Sequence, residues 1–442
     1  MKAIIMAGGK GERLQPVTHG CPKPMVRLLG RPILEHTIIL LRDHGFNDIC
    51  ITLCARPESI RTYFGDGRAF GVSLSYREER APLGTAGSVK NCADFIGNDD
   101  VLVLSGDAVC DFDLSALMDV HSASRAAATL ALTSCADPLR YGLVLTDSGG
   151  EIVSFIEKPA WERVVTDLVN TGIYVLSPLA VELIPQETYC DFAQDLFPKM
   201  LDMVIPLRAA VMDGYWCDVG SPATYLQCSM DALYGRVRLQ TTGRCLAPGI
   251  HCASRLPENV RLHPPCFIGP GAVIGAGCIL GPEAVINPGS ILGSGVQIRT
   301  SVVDGGEIGA HSTLTGTILC RDAKLAPGAK TQSGTVIAAP GGRSAPIRPP
   351  LNTRQQSAGH TVGEIPCADR AHLMRLFSEA LMEAGADFTD GLVFGRAGGL
   401  IRLAPSSEKS AVVIEALSGS DEDLKLAEQC RKLAAEWTSR EL

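Results

Sequence analysis

MKAIIMAGGKGERLQPVTHGCPKPM (residues 1–25) decides how the rest of the chain is read. Ala3, Ile4, Ile5, Met6 and Ala7 form a short apolar run that opens into a turn with Gly8, Gly9 and Gly11. The cations Lys10, Arg13 and Lys23 follow closely. A buried strand feeding a glycine turn brings backbone N–H groups up to a phosphate with no Cβ in the way. Cations beyond such a turn face the negative charge it gathers. The expectation is a nucleoside triphosphate site lined by Ala7, Gly8, Gly9 and Gly11. Pro22 and Pro24 stiffen the backbone that presents Lys23. Two common phosphate loops do not fit, because the spacing is G-G-x-G and no Lys-Ser or Lys-Thr follows a glycine at P-loop spacing. A plain strand-to-helix turn explains Gly8 and Gly9 but leaves Arg13 and Lys23 without a purpose.

AGGKGERLQPVT (residues 7–18) followed by CPKPM (residues 21–25) resembles the signature of sugar-1-phosphate nucleotidylyltransferases. The wording is most similar to mannose-1-phosphate guanylyltransferases that carry hexapeptide repeats and a phosphomannomutase-like segment behind the catalytic part. The resemblance implies transfer of a nucleoside monophosphate, GMP favoured, from GTP to mannose-1-phosphate, with release of pyrophosphate and with Mg²⁺ as cofactor. Transfer from UTP, dTTP or ATP to glucose-1-phosphate stays open, as does a silent homologue that only binds nucleotide-sugar.

The 442 residues carry 40 Lys and Arg against 48 Asp and Glu, a formal charge of −8. A mildly acidic chain argues against a nucleic-acid groove, which needs a basic face. Gly8, Gly9 and Lys10 interrupt the first apolar run too early for a secretion signal. No apolar run approaches the roughly 20 residues that span a bilayer. The sixteen cysteines show no repeated C-x-x-C spacing with matching histidines, so buried reduced thiols in a cytoplasmic protein are expected rather than zinc or disulfides.

Residues 1–235 alternate short apolar strands with helix-like segments. DICITLC (48–54) and VLVLSGD (101–107) read as central strands, and RPILEHTIILLRDHG (31–45) as a helix opened by Pro32 and stopped by Gly45. The expectation is an α/β, Rossmann-like domain with a mostly parallel sheet, its site beyond the carboxyl ends of the strands. Farther on, Ile268, Ile274, Leu280, Ile286, Leu292 and Ile298 recur every six residues, and the pattern loosens near Ile308, Leu314 and Leu325. That period fits neither helix nor simple strand; it fits a solenoid with one inward aliphatic residue per flat face. It resembles the hexapeptide left-handed parallel β-helix, assigned to residues 245–338, through which copies would associate into a homo-oligomer. An acyltransferase also carries such repeats, but His311 alone does not make its site. Residues 340–360 read as a proline- and glycine-rich linker. Residues 361–442 resemble the last, small α+β domain of phosphohexomutases. The loop 404–410 lacks that family's glycine and threonine, and no mutase serine loop occurs, so no mutase activity is expected. Ser406 and Ser407 read as surface loop.

Joining two anions needs no protein nucleophile, only alignment and neutralisation of charge on the phosphate oxygens. Mg²⁺ takes a few carboxylates plus phosphate oxygens and water. SGDAVCDFD (105–113) and GYWCDVGSPATYL (214–226) resemble the family's two metal-binding elements, which implies Asp107 and Asp218 as ligands. Asp111 and Asp113 read instead as turn and helix-capping residues. Arg13 and Lys23 are the candidates for stabilising the triphosphate and the transition state. APLGTAGSV (81–89) resembles the loop over base and ribose, implying Gly84 and Thr85, with Glu78 upstream and Gly106 beside Asp107. On the sugar-phosphate side the resemblance implies Gly142 in RYGLV, Glu157 and Lys158 in IEKP, and Asn170 and Thr171 in NTGIYVLS. Gln194 stands where relatives usually have Lys.

Overall fold

The computed structural model describes the chain except residues 10, 55–56, 348–359, 383–384, 389–390, 397–398, 407–408, 418–419 and 439–442. Lys10, Ser407, Glu408 and most of the proline-rich stretch therefore lie outside the described residues.

A nine-stranded sheet organises the first part. Its strands are β1 (Lys2–Met6), β2 (Asp48–Leu53), β3 (Ser73–Glu78), β4 (Val101–Ser105), β5 (Ala128–Ser134), β6 (Gly142–Thr146), β7 (Ile152–Glu157), β8 (Leu168–Leu176) and β9 (Leu207–Val211). The order is β7-β6-β8-β4-β1-β2-β3, with β5 on β8 and β9 on β5. The block β4-β1-β2-β3 is parallel. From β4 outward, β8 joins antiparallel, and so do β5 and β6 on β8. Ile4, Ile5, Val103 and Leu104 are buried on both faces of the parallel block, which is what its continuous apolar runs require. The helix Ile33–Asp43 starts behind Pro32 and stops before Gly45, whose φ of +80° ends the helical path.

Parallel strands end together, so the loops after β1 and β4 are neighbours. Gly106 N–H donates to the Met6 carbonyl at 2.9 Å, and Ala7 N–H to the Thr52 carbonyl at 3.1 Å. A separate two-stranded ribbon, Ala108–Cys110 against Trp216–Asp218, places Asp218 opposite Ala108.

The second part is a coil of short strands in three sheets, whose central strands pair in parallel with the third one on: Cys266 opposite Ala284, Val273 opposite Ile291, Ile279 opposite Gln297. Ile268, Ile274, Leu280, Ile286, Leu292 and Ile298 are all buried in one interior cluster with Ile308 and Leu314, while Leu325 is half-buried at its edge. A Cβ on Gly275 would lie 2.5 Å from the Gly293 carbonyl carbon of the next turn. One face of the coil, through Phe267, Val285, Val302 and Ile318, shares a cluster with Leu14, Val26, Leu28 and Tyr225 of the first part.

The last part is a four-stranded antiparallel sheet in the order His360–Pro366, Ala411–Ala416, Gly399–Pro405, Leu392–Arg396. The helices Arg370–Leu381 and Asp421–Thr438 accompany it, an α+β arrangement. Among the described residues no helix is long and apolar enough to cross a membrane.

Gly275→Ala inserts a methyl where successive turns touch. The expected loss is about 1–3 kcal/mol, typical of overpacking, read as an earlier unfolding midpoint in urea. An unchanged midpoint would show that the turns do not pack this closely.

Candidate active site

Asp107 and Asp218 converge on one ammonium group. Lys23 Nζ donates to Asp107 Oδ2 at 2.6 Å and to Asp218 Oδ1 at 3.1 Å. Its side chain is only 7% exposed. Arg13, 75% exposed, brings a guanidinium nitrogen to 4.0 Å from Asp218 Oδ2. Ser105 Oγ donates to the other oxygen of Asp107. Three segments far apart in sequence thus meet: the loop after β1, the loop after β4 and the ribbon strand carrying Asp218.

The glycine turn is built onto the Lys23 segment. Gly11 adopts φ +67°, and a Cβ there would sit 3.0 Å from Lys23 Cβ and 3.1 Å from Thr18 Cγ2. Thr18 Oγ1 donates to the Gly11 carbonyl at 2.9 Å. Gly9 faces open space, whereas a Cβ on Gly8 would touch Cys54 and Glu79. Gly106 lies tight against β1, 3.0 Å from the Met6 carbonyl by the same measure.

Electrostatics holds Lys23 and Asp107 ionised. Burial disfavours the Asp107 carboxylate, but the Lys23 charge, with hydrogen bonds from Lys23 and Ser105, outweighs it and holds the carboxyl below its ordinary value. Burial likewise disfavours the Lys23 ammonium, and Asp107 and Asp218 together hold it above its ordinary value. Two carboxylates presenting oxygen to one cation are a donor set that suits a hard divalent ion. Among the described residues no group of three or more His, Cys, Asp or Glu could hold a metal; Asp107 and Asp218 are the pair of carboxylates that meets here.

Other expected residues are less central. Glu78 is exposed and pairs with Arg61 at 2.6 Å. Its neighbour Glu79, not anticipated, lies against Gly8 and accepts from Leu83 N–H at 3.2 Å. Gly84, with φ +75°, is pressed to the Cys190 carbonyl, where a Cβ would be 2.5 Å away. Thr85 Oγ1 donates to Asp191 Oδ2 and accepts from Phe192 N–H, both at 2.9 Å. Both residues thereby fasten the 81–89 loop to the segment before Gln194, which is exposed.

Gly142 opens β6 opposite Glu157, whose Oε2 would meet a Cβ on Gly142 at 2.8 Å. Lys158, with φ +40°, pairs with Glu157 at 2.7 Å. Asn170 Oδ1 accepts from Gly172 N–H, and Thr171 spends its hydroxyl on the Ala131 carbonyl at 2.6 Å. A Cβ on Gly172 would come within 3.5 Å of Ser105 Cβ, so this half adjoins Asp107. Trp216 joins the two halves, donating to the Thr171 carbonyl at 3.1 Å with its ring edge-on to Tyr141. Asp113 caps the helix Leu114–Ala123 as expected. Asp111 is no simple turn residue: buried, it accepts from Tyr215 N–H at 2.7 Å and Arg238 N–H at 2.8 Å.

Residues 2–234 match the family described as Nucleotidyl transferase, and residues 262–340 match the GMPPB C-terminal domain. The chain belongs to the nucleotidyl transferase family. Among its relatives, a UTP–glucose-1-phosphate uridylyltransferase of Synechocystis sp. is 36% identical over 286 residues, covering 61% of this chain and 74% of that protein. A mannose-1-phosphate guanylyltransferase of Mycobacterium tuberculosis is 31% identical, covering 76% and 82%. A mannose-1-phosphate guanyltransferase of Candida albicans is 34% identical, covering 76% and 91%. Both family matches end before residue 341, so the C-terminal α+β part stands outside them.

The charge balance gives a pH signature with a definite sign. Asp107 is held low, so its stabilisation is complete above about pH 4, the ordinary carboxylate range, and is lost as pH falls further. Lys23 is held high, so its share is complete at every pH below about 10, its ordinary range, and is lost only above it. Thermal unfolding of the parent and Asp107→Asn should therefore differ by a constant amount from pH 5 to 8. The parent's advantage should shrink in more acid buffer; an advantage that grows there would contradict the pairing.

Proposed function

We propose that this protein is a nucleotidyltransferase that moves GMP from GTP to mannose-1-phosphate, giving GDP-mannose and pyrophosphate. The observation that carries the reading is the convergence of Lys23, Asp107 and Asp218 beside the glycine turn. In the reaction, a phosphate oxygen of the sugar-1-phosphate attacks the α-phosphorus. The bond from that phosphorus to the bridging oxygen breaks, and pyrophosphate leaves with the electron pair.

Each residue has a task in this account. Gly8, Gly9 and Gly11, with Ala7 and Gly106, give the triphosphate a backbone surface without side chains. Arg13, mostly in solvent, closes on phosphate oxygens with its planar fork, and Lys23 supplies a point charge from a fixed place. Asp107 and Asp218 would hold a divalent ion, Mg²⁺ on the family's pattern, which supplies charge neutralisation on the phosphates when bound. Glu157 accepts from sugar hydroxyls, Lys158 meets the sugar phosphate, and Gly142, Asn170 and Thr171 shape that half. Gly84 and Thr85 act on the base and ribose by holding their loop in place, and Glu78 is the least engaged of the expected contacts.

A second reading, a uridylyltransferase for glucose-1-phosphate, is favoured by the 36% identity to the Synechocystis protein. Further parts of the proposal follow the sequence: units at 1–235, 245–338 and 361–442 with a linker at 340–360, and a left-handed coil, supported by its six-residue aliphatic period. Val273 and Ile291, exposed side by side on one coil sheet, suit contact with a second copy in a homo-oligomer. The cysteines are all unpaired among the described residues, which suits the cytoplasm.

Pyrophosphate release from each nucleoside triphosphate, with mannose- or glucose-1-phosphate, separates these readings. GTP with mannose-1-phosphate should be fastest; UTP with glucose-1-phosphate leading would select the second reading, and no release from any pair would reject both. Lys23→Ala and Asp107→Asn should each lower kcat by about 10²–10³-fold, the scale of losing one preorganised charge at the transition state. Activity near the parent's in either variant would remove that residue from the chemistry.

A further inference from the structure

We propose that the C-terminal α+β part braces the sugar-phosphate half of the site, with Arg375 as the positioning residue. This rests on the reading of Gly142, Glu157, Lys158, Asn170 and Thr171 as that half. Asp167, fully buried at 0% exposure, stands immediately before β8. Its Oδ1 accepts from Arg375 Nε at 2.6 Å, across 208 residues of sequence. Its Oδ2 accepts from Ser134 Oγ at the end of β5, and its carbonyl accepts from Cys135 N–H at 2.9 Å. A carboxylate without water needs a cation, and the guanidinium arrives from the last part of the chain.

The position of this pair matters more than its existence. Asp167 lies three residues before Asn170, and Ser134 leads through a short loop to Arg140, Tyr141 and Gly142. One ion pair therefore pins the starts of both segments expected to face the sugar phosphate. Further contacts bear on the same edge. Ser378 Oγ donates to the Val165 carbonyl at 2.9 Å, and the Arg370 guanidinium lies over the Trp161 ring at 4.2 Å. Leu143, Leu145, Ile156 and Val169 of β6, β7 and β8 share one buried cluster with Phe377, Leu403 and Ile414. Among the described residues, none of the glycine turn or the Lys23 segment belongs to that cluster. The brace grips one half of the site and leaves the nucleotide half to the coil.

The test uses full-length protein carrying Arg375→Ala or Arg375→Lys. Initial rates are measured with each substrate varied in turn. Arg375→Ala should raise KM for the sugar-1-phosphate about ten-fold and leave KM for the triphosphate within about two-fold, because remote misplacement acts on the half it supports. Arg375→Lys, which keeps one donor and the charge, should recover part of the loss. Hydrogen exchange in residues 134–142 and 167–172 should quicken in the alanine variant, with residues 1–25 unchanged. Both KM values unchanged, both raised together, or exchange unaltered in those segments would overturn the brace. If neither parent nor variant turns over any substrate pair, the functional reading fails, and hydrogen exchange alone decides on the brace.

Discussion

A lysine ammonium held between two aspartates is the contact on which the site depends. Lys23 lies 84 residues from Asp107 and 195 from Asp218, and Lys23 and Asp107 keep their charge because each sits in the field of the other. Removing Lys23 leaves two carboxylates facing each other without their shared cation in a half-buried place, which is costlier than never having formed the set. The sheet makes the meeting possible: β1 and β4 are adjacent and parallel, so the loops they release stand side by side. The ribbon that pairs Asp218 with Ala108 completes it.

The flanking parts then act as supports. The coil presses on the Lys23 segment through Phe267 and its neighbours, and Arg27 reaches the Pro288 carbonyl at 2.9 Å. Gly30 is open because the Phe267 ring lies where its side chain would be, 2.9 Å from that point. The C-terminal part grips the opposite edge through Asp167. A site whose chemistry is alignment of two anions gains from being held on both sides.

Much of this was legible in the sequence because local rules and tertiary placement agree. The apolar run at β1, the six-residue aliphatic period and the capping by Asp113 each need only nearby residues to be read. Asp107 and Asp218 were found through motif wording, and their meeting follows from the sheet order, which a sequence does not state. What escaped notice depends on facing. In the run REER, strand parity decides that Glu78 turns to Arg61 while Glu79 meets Gly8, and nothing in the letters selects between them. Asp111 reads as a turn residue and Asp167 carries no signal of its own, because their partners, at Arg238 and Arg375, lie far along the chain. Gly84 and Thr85 match a nucleotide loop in wording, yet their closest neighbours are Cys190, Asp191 and Phe192. The same residues serve packing and, in the proposal, the substrate.

The most direct test of the central claim is Mn²⁺ binding, followed by electron paramagnetic resonance in the presence of a non-hydrolysable GTP analogue. The account predicts one tight site in the parent, weakened at least about ten-fold in Asp107→Asn and in Asp218→Asn, the loss expected when one of two anionic ligands goes. Equal Mn²⁺ affinity in the parent and both variants would contradict it, because the two carboxylates would then not share an ion.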